Sequence, residues 1–160
     1  MDIHYKAIGT IHTGHQSVEG TPIQPGGAQS SEGIVELFPE YTEGLKDLEG
    51  FSYVILLYHF HLISETALTV QPFMDSISHG VFSTRSPARP NPIGLSVVRL
   101  KKVVDNRLYI ENVDIIDGTP LIDIKPYVPH FDSKTATKIG WLENNVHKHT
   151  TTRDDGRFIK

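Results

Sequence analysis

Cysteine is absent from the 160-residue sequence, and this absence excludes disulfide bonds, thiolate metal sites and a cysteine nucleophile. Long hydrophobic runs are absent as well. The most apolar stretch, around residues 54–58, is far shorter than the about 20 residues that a membrane-spanning helix needs. The N-terminal stretch MDIHYKAIGT carries an acid and lacks the apolar core of an export signal. We therefore expect a cytoplasmic protein with no membrane partner.

The composition that remains is typical of a single globular domain. Hydrophobic residues make up 38% and charged residues 21% of the chain, which favours a packed core over disorder. No repeat and no linker-like stretch divides the sequence. We expect residues 1–132 to form the main body and residues 133–160 to add a helix and a polar tail to the same domain.

Basic residues are scarce in the first half of the chain. Residues 1–80 contain two basic and ten acidic residues, whereas residues 81–160 contain thirteen basic and nine acidic residues. The stretch 81–107 alone has six basic residues and one acidic residue. Such a stripe suits an anionic partner. Lysine-decorated strand edges are also common, so charge alone leaves both interpretations open.

Alternation of apolar and polar residues dominates the pattern and favours β-strands over helices. It predicts strands over residues 4–12, 33–38, 51–60, 93–104, 107–116 and 121–128, and a shorter strand or an irregular segment over residues 66–73. Asp105 and Asn106 lie between two of these strands and predict a tight hairpin. No strand is followed by the glycine-rich turn and helix of a dinucleotide-binding fold.

Two segments interrupt this pattern. Residues 13–32 hold four glycines and two prolines and predict a long loop. Residues 133–149, with Ser133 as a potential cap, predict the one sizeable helix. We therefore expect a mainly β fold: a compact antiparallel β-barrel with short helices, a long N-terminal loop and a C-terminal helix.

The stretch HFHLISE, residues 59–65, offers one candidate site. His59 and His61 share a face if the strand continues, and Glu65 follows closely. Such a group is able to hold a metal ion, as in cupin-like barrels. The alternative is one packed histidine and one that faces a polar cavity, because no second histidine motif is present. A metal-dependent barrel enzyme therefore stays open as an alternative function.

The stretch DGTPLIDIKPYVP, residues 117–129, begins with a turn signature and continues as a strand. Asp123, Lys125 and Tyr127 alternate along it and share one face. An acid, an ammonium group and a phenol in this arrangement either wall a site or face solvent from an edge strand.

The stretch FSTRSPARPNPIGLS, residues 82–96, is stiff and basic. Its three prolines fix the backbone, so little conformational entropy remains to be lost when a ligand binds. The guanidinium groups of Arg85 and Arg89 suit phosphate, carboxylate or stacking on a base. The loop is either a ligand clamp or a rigid crossover at the rim of a barrel.

GVFSTRSPARPNPIGLS followed by DGTPLIDIKPYVP closely resembles the TrmO family, also called TsaA-like or YaeB-like. The resemblance extends to IGTIHT, PIQPGG and LEGFSYVILLYHFH and covers roughly residues 5–130. It implies a β-barrel homodimer that uses S-adenosylmethionine to methylate tRNA. The implied target is the exocyclic amino nitrogen of threonylcarbamoyl-adenosine, the nucleoside just 3′ of the anticodon in threonine tRNA.

The resemblance also implies which residues contact the cofactor. These are Ile23, Gln24, Pro25, His61, Leu62, Arg85, Leu95, Asp117, Gly118, Thr119 and Pro120. Arg89, Asn91 and Lys125 lie in the same motifs, and we assign them, with Tyr127, to the RNA side. Asp123 and Tyr127 are the candidates for a general base. No metal is implied, and a non-catalytic barrel that binds RNA or the cofactor is the remaining alternative.

Overall fold

The computed structural model describes residues 1–159, and eight β-strands lie in that range. The strands are β1 (Gly9–Thr13), β2 (Glu32–Leu37), β3 (Tyr53–His59), β4 (Thr69–Val70), β5 (His79–Gly80), β6 (Ile93–Val104), β7 (Arg107–Glu111) and β8 (Thr119–Pro126). Six of them close a barrel in the order β1-β2-β7-β6-β3-β8, and every pairing in it is antiparallel. Strands β4 and β5 form a separate two-stranded ribbon. The predicted mainly β barrel is confirmed.

Alternating side chains fill the barrel, as the sequence pattern indicates. In β3, Val54, Leu56 and Tyr58 are buried, while the residues between them face outward. Each of the six barrel strands contributes in the same way. The barrel residues with almost no exposed surface are Ile11, Val35, Val54, Leu56, Val98, Leu108, Ile110 and Leu121.

One extra residue in β6 changes which side chains face the core. The register between β6 and β7 shifts between Leu100 and Lys102, so Lys101 and Lys102 are both exposed. Beyond the shift, Val103 packs against the core. Asp105, with φ 53°, then turns the chain into β7. The predicted two-residue hairpin is confirmed.

Helices within residues 1–159 are short. The one α-helix there, α1, spans Pro129–Asp132. The 3-10 helices are Pro25–Gly27, Pro39–Leu45, Leu48–Gly50, Val81–Ser83, Gly140–Asn144 and Val146–Thr150. None of the helices in this described range is long and apolar enough to cross a membrane.

The C-terminal part differs from the sequence-based prediction. The single helix expected over residues 133–149 was wrong: residues 133–139 form no helix, and two 3-10 helices follow. Gly140 has φ 61°, a left-handed conformation that cannot lie inside a right-handed helix. The backbone turn at Gly140 therefore overrides the helical propensity of the residues around it.

Two further segments differ in extent. The segment over residues 66–73 contains the short strand Thr69–Val70, and the first strand begins at Gly9 rather than at residue 4. The polar tail after residue 150 is packed through Phe158 on a small hydrophobic cluster next to the β4–β5 ribbon. Its last residue, Lys160, lies outside the described residues.

Charges of the two halves of the chain meet on the barrel exterior. The ammonium group of Lys101 lies 2.9 Å from Glu32 and 2.8 Å from Glu111, and Arg107 lies 2.8 Å from Glu36. Exposed pairs of this kind stabilise a fold only weakly, because solvent and salt screen them. They do, however, neutralise the basic stripe of β6 and β7, which favours its interpretation as a decorated strand surface.

Replacement of Gly94 tests how tightly the barrel end is packed. A Cβ atom at this position would overlap the ring of Tyr58 on the paired strand. We predict that Gly94→Ala lowers the free energy of unfolding in urea by about 1–3 kcal/mol. Gly44→Ala, where a Cβ meets nothing within 4 Å, is the control and is expected to be neutral. Equal stability of the two variants would contradict this packing.

Candidate functional site

A cavity of about 960 Å³ lies where β3 ends and β6 begins. Its volume falls within the about 300–1,000 Å³ typical of small-molecule sites. The barrel contributes Tyr58, Ile93, Gly94, Leu95 and Thr119, and the remaining walls come from loops around the rim. The barrel therefore acts as a rigid base for a site built largely by loops.

The cavity brings together most of the residues that the sequence assigned to a cofactor. Those in its wall are Ile23, Gln24, Pro25, His61, Leu62, Arg85, Leu95 and Thr119. Arg89 and Asn91, assigned to RNA, line it as well. Asp117, Gly118 and Pro120 do not belong to its lining. The contacts of all these residues with a ligand stay predictions.

The turn that begins with Asp117 has a visible structural role. The Asp117 carboxylate accepts a hydrogen bond from the backbone N–H of Thr13 at 3.0 Å, which ties the turn to the end of β1. The buried hydroxyl of Thr119 donates to the carbonyl of Ile116 at 2.7 Å. These bonds hold the turn behind the cavity wall and present Thr119 to the cavity.

The loop over residues 82–92 is held by its own hydrogen bonds. The hydroxyl of Thr84 donates to the carbonyl of Val81 at 2.8 Å and accepts from the backbone N–H of Ser86 at 3.2 Å. Nη1 of Arg89 donates to the carbonyl of Thr84 at 3.1 Å. The loop therefore keeps its shape through these bonds as well as through its prolines.

Arg85 places a positive charge in the cavity. Its Nη1 donates to Oε1 of Gln24 at 3.1 Å, which links the 82–92 loop to the long N-terminal loop. Both residues lie in the cavity wall. The hydrogen bond to Gln24 orients the Arg85 guanidinium group. Its remaining N–H groups are then able to bind a carboxylate or phosphate of a ligand.

A row of three hydrogen-bonded side chains lies close to Arg85. The Ser96 hydroxyl donates to Oδ1 of Asp114 at 2.6 Å, and the Tyr58 hydroxyl lies 3.0 Å from the Ser96 oxygen. Burial raises the pKa of the Asp114 carboxyl to about 6, while the Ser96 hydrogen bond and the charge of Arg85 act in the opposite direction. Burial also raises the pKa of Tyr58. Asp114, which lines the cavity, therefore titrates near neutral pH.

The sequence analysis missed Asp114. The residue stands in ENVDII, where the alternating pattern was assigned to the end of a strand. In the structure, β7 ends at Glu111, and Asp114 lies between the buried side chains of Val113 and Ile115. The available signal was a carboxylate between two apolar residues. A charged group next to the core is costly unless it has a partner, so it indicates a hydrogen-bonded or functional residue.

His61 lies in the turn after β3 rather than on a strand, so it does not share a strand face with His59. Its Nδ1 is buried and has no hydrogen-bond partner within residues 1–159. Burial lowers the pKa of His61, and the charge of His59 acts in the same direction. The described residues contain no group of three acidic or histidine side chains able to hold a metal ion, so the geometry does not support the metal-site alternative with Glu65.

The candidates for a general base lie away from this cavity. Lys125 forms an ion pair with Asp123 at 2.8 Å on the outside of β8, and the Tyr127 ring contacts Tyr53 edge to face at 6.3 Å. Tyr53 begins β3, whereas the cavity lies where β3 ends. The roles assigned to Asp123, Lys125 and Tyr127 stay predictions, and within one chain they do not face the cavity.

A closed β-barrel with a charged small-molecule cavity at its rim defines a class of ligand-binding barrels distinct from the doubly wound nucleotide-binding folds. The particular family follows from comparison with known proteins. The family model described as the tRNA-methyltransferase O N-terminal domain matches residues 10–133, and the chain belongs to this family. The family predicted from the sequence is confirmed.

Relatives from bacteria and archaea agree with this assignment. The chain is 57% identical over 157 residues to a "Probable S-adenosyl-L-methionine-binding protein" of Pyrococcus abyssi, covering 98% of this chain and 85% of that one. It is 38% identical to the tRNA (adenine(37)-N6)-methyltransferase of Escherichia coli, covering 81% of this chain and 59% of the relative. The crystal structure of TrmO from Pseudomonas aeruginosa superposes with a TM-score of 0.75 at 38% identity, covering 88% of this chain and 62% of that one.

Asp114→Asn tests the burial of this carboxyl group. The folded-state pKa of Asp114 is raised from 3.8 to about 6, so the ionised form destabilises the fold and stability is lost as pH rises through 6. We predict a free energy of unfolding roughly 1–3 kcal/mol above wild type at pH 8. The difference should vanish below about pH 4, where the wild-type carboxyl is protonated in both states.

Denaturation at several pH values measures this difference, with Glu43→Gln as the control for removal of an exposed carboxylate. A pH-independent effect of Asp114→Asn would contradict the raised pKa.

Proposed function

We propose that the protein is an S-adenosylmethionine-dependent tRNA methyltransferase. Its substrate is the exocyclic amino nitrogen of threonylcarbamoyl-adenosine next to the anticodon, with threonine tRNA as the expected partner. The observation that carries the proposal is a single cavity that combines the family's cofactor motifs with Arg85 and the partly buried Asp114. The names of the relatives, which include tRNA (adenine(37)-N6)-methyltransferases, support the reaction class.

The residues present fit this cofactor. Arg85 suits the carboxylate of its methionine part. The buried Nδ1 of His61, which has no partner within residues 1–159, is available for a hydrogen bond to the ribose or adenine. Ile23 and Leu62 supply apolar wall for the adenine ring. When bound, S-adenosylmethionine supplies an electrophilic methyl group on a sulfonium that leaves as a neutral thioether.

Asp114 is the group in the cavity that we assign to proton transfer. As the adenosine nitrogen gains the methyl carbon, its N–H bond breaks and the Asp114 carboxylate accepts the proton. The Ser96 hydroxyl fixes the orientation of the carboxylate and Tyr58 fixes Ser96. With a pKa of about 6, the carboxylate is ionised at neutral pH yet more basic than an ordinary aspartate.

The threonylcarbamoyl group suits this weak base. A carbamoyl substituent withdraws electron density from the amino nitrogen and makes its proton more acidic, so a carboxylate suffices as acceptor. The substituent also carries a carboxylate. Arg89 lines the cavity near Arg85 and is the second guanidinium available for it.

We further propose that the protein works as a homodimer through the outer face of β3 and β6. Ile55, Leu57 and Val97 lie on this face, partly exposed, together with Leu95, which is 49% exposed. Leu95 also lines the cavity. A second copy of the chain on this apolar face would therefore cover an edge of the cofactor site.

Transfer of labelled methyl groups to tRNA tests the function and the role of Asp114. We predict that Asp114→Asn lowers kcat by roughly 10²–10⁴-fold while binding of S-adenosylmethionine persists. Asp123→Asn, which removes a carboxylate outside the cavity, is the matched control and should change kcat by less than about tenfold. Wild-type kcat should rise with pH through about 6, and Ser96→Ala should move that midpoint upward.

The substrate is tested with two tRNA preparations that differ only in the threonylcarbamoyl group. Methylation of the modified tRNA alone agrees with the proposal. Methylation of both, or of the unmodified tRNA alone, would contradict the assigned substrate. Full activity of Asp114→Asn combined with loss in Asp123→Asn would contradict the role of Asp114 and support the carboxylate on β8.

Light scattering after gel filtration tests the dimer. We predict twice the chain mass of 17.9 kDa for the wild type and a monomer for Val97→Arg, because burial of an unpaired guanidinium group in an apolar interface is costly. Val104→Arg, at an exposed position at the far end of β6, is the control and should remain dimeric. A monomeric wild type would contradict this interface.

A further inference from the structure

The segment over residues 140–158 follows the part of the chain that the family model matches, which ends at residue 133. It contributes several side chains to the wall of the cavity. These are Trp141, Leu142, Val146, His149, Asp154 and Phe158. We call this stretch the covering segment.

The covering segment is fastened to two of the loops that form the cavity. The indole N–H of Trp141 donates to the carbonyl of Ser83 at 2.8 Å, next to the 82–92 loop. Nη2 of Arg153 donates to the carbonyl of Gly27 at 3.1 Å in the long N-terminal loop. The segment thus bridges two walls that are far apart in sequence.

The C-terminal end of the covering segment contacts a third part of the cavity wall. Nη1 of Arg157 donates to the carbonyl of Pro72 at 3.1 Å, and the Phe158 ring packs edge to face on Phe73 at 5.1 Å. Pro72 and Phe73 both line the cavity. The covering segment therefore fixes the relative position of all three loops.

The second glycine of PIQPGG, Gly27, is explained by this contact. A Cβ atom at Gly27 would lie 3.1 Å from the carbonyl oxygen of His149 and 3.2 Å from that of Thr150. Backbone atoms of the covering segment occupy that space, so a side chain would push the segment away. The long loop is thus shaped to receive the covering segment.

Trp141 is the most constrained side chain of the segment. Its ring stacks on His79 with centroids 4.8 Å apart and an interplanar angle of 19°. His79 in turn lies 2.9 Å from the Asp75 carboxylate. One face of the indole is therefore covered and its orientation fixed, while the residue also lines the cavity.

We propose that Trp141 contacts bound S-adenosylmethionine and that the covering segment forms the outer wall of the cofactor site. This inference rests on the proposed cofactor. An indole ring attracts a sulfonium cation and also packs on an adenine ring. Because its orientation is fixed before binding, little rotamer entropy is lost in the contact.

Two measurements on the full chain test the proposal, because Trp141 is the one tryptophan in the sequence. Titration with S-adenosylmethionine should change the intrinsic tryptophan fluorescence of the wild type with the same Kd that calorimetry gives. Trp141→Ala should weaken binding roughly tenfold, and Trp141→Phe less. Glu143→Gln, exposed on the same 3-10 helix and outside the cavity lining, should bind as the wild type does.

The outcomes separate this inference from the proposed function. Calorimetric binding to the wild type without a fluorescence change would overturn the role of Trp141, and so would an unchanged Kd in Trp141→Ala. The fluorescence titration uses the wild type, so the test stands even if Trp141→Ala fails to fold. Absence of binding to the wild type would contradict the cofactor and, with it, this inference.

Discussion

The ring of Tyr58 crosses the barrel end over Gly94, and the cavity depends on that close contact. Without a side chain at Gly94, the Tyr58 hydroxyl reaches Ser96, and Ser96 reaches Asp114 at 2.6 Å. A carboxylate is thereby held at the barrel end, shielded from bulk water and without a close cationic partner. Its raised pKa follows from this burial, and the proposed proton transfer depends on it.

The division of charge along the sequence has two consequences in the fold. On the exterior, glutamates of β2 and β7 neutralise the lysines and arginines of β6 and β7. In the cavity, Arg85 and Arg89 make their hydrogen bonds to the Gln24 amide and to backbone carbonyls, none of which is charged. Two guanidinium groups that form no ion pair within residues 1–159 are thus placed at the site itself, which suits ligands that carry carboxylates or phosphates.

The sequence pattern predicted those parts of the structure that depend on residues close together in the sequence. Alternation predicted the barrel strands, and Asp105 with Asn106 predicted the hairpin. The covering segment was missed because 3-10 helices leave no apolar periodicity, and its contacts join residues far apart in sequence, from 58 positions for Trp141 and Ser83 to 126 for Arg153 and Gly27. The pattern on β8 showed that Asp123 and Tyr127 share a face, but it carries no information about which end of the barrel that face approaches.

Calorimetric titration of the wild type and of Arg85→Ala with S-adenosylmethionine, before any RNA is added, tests the central claim most directly. The account predicts a micromolar Kd for the wild type and at least about tenfold weaker binding for Arg85→Ala, because a charge-assisted contact to the ligand carboxylate is lost. No heat of binding to the wild type at millimolar ligand would contradict the account, since the cavity would then not be a cofactor site.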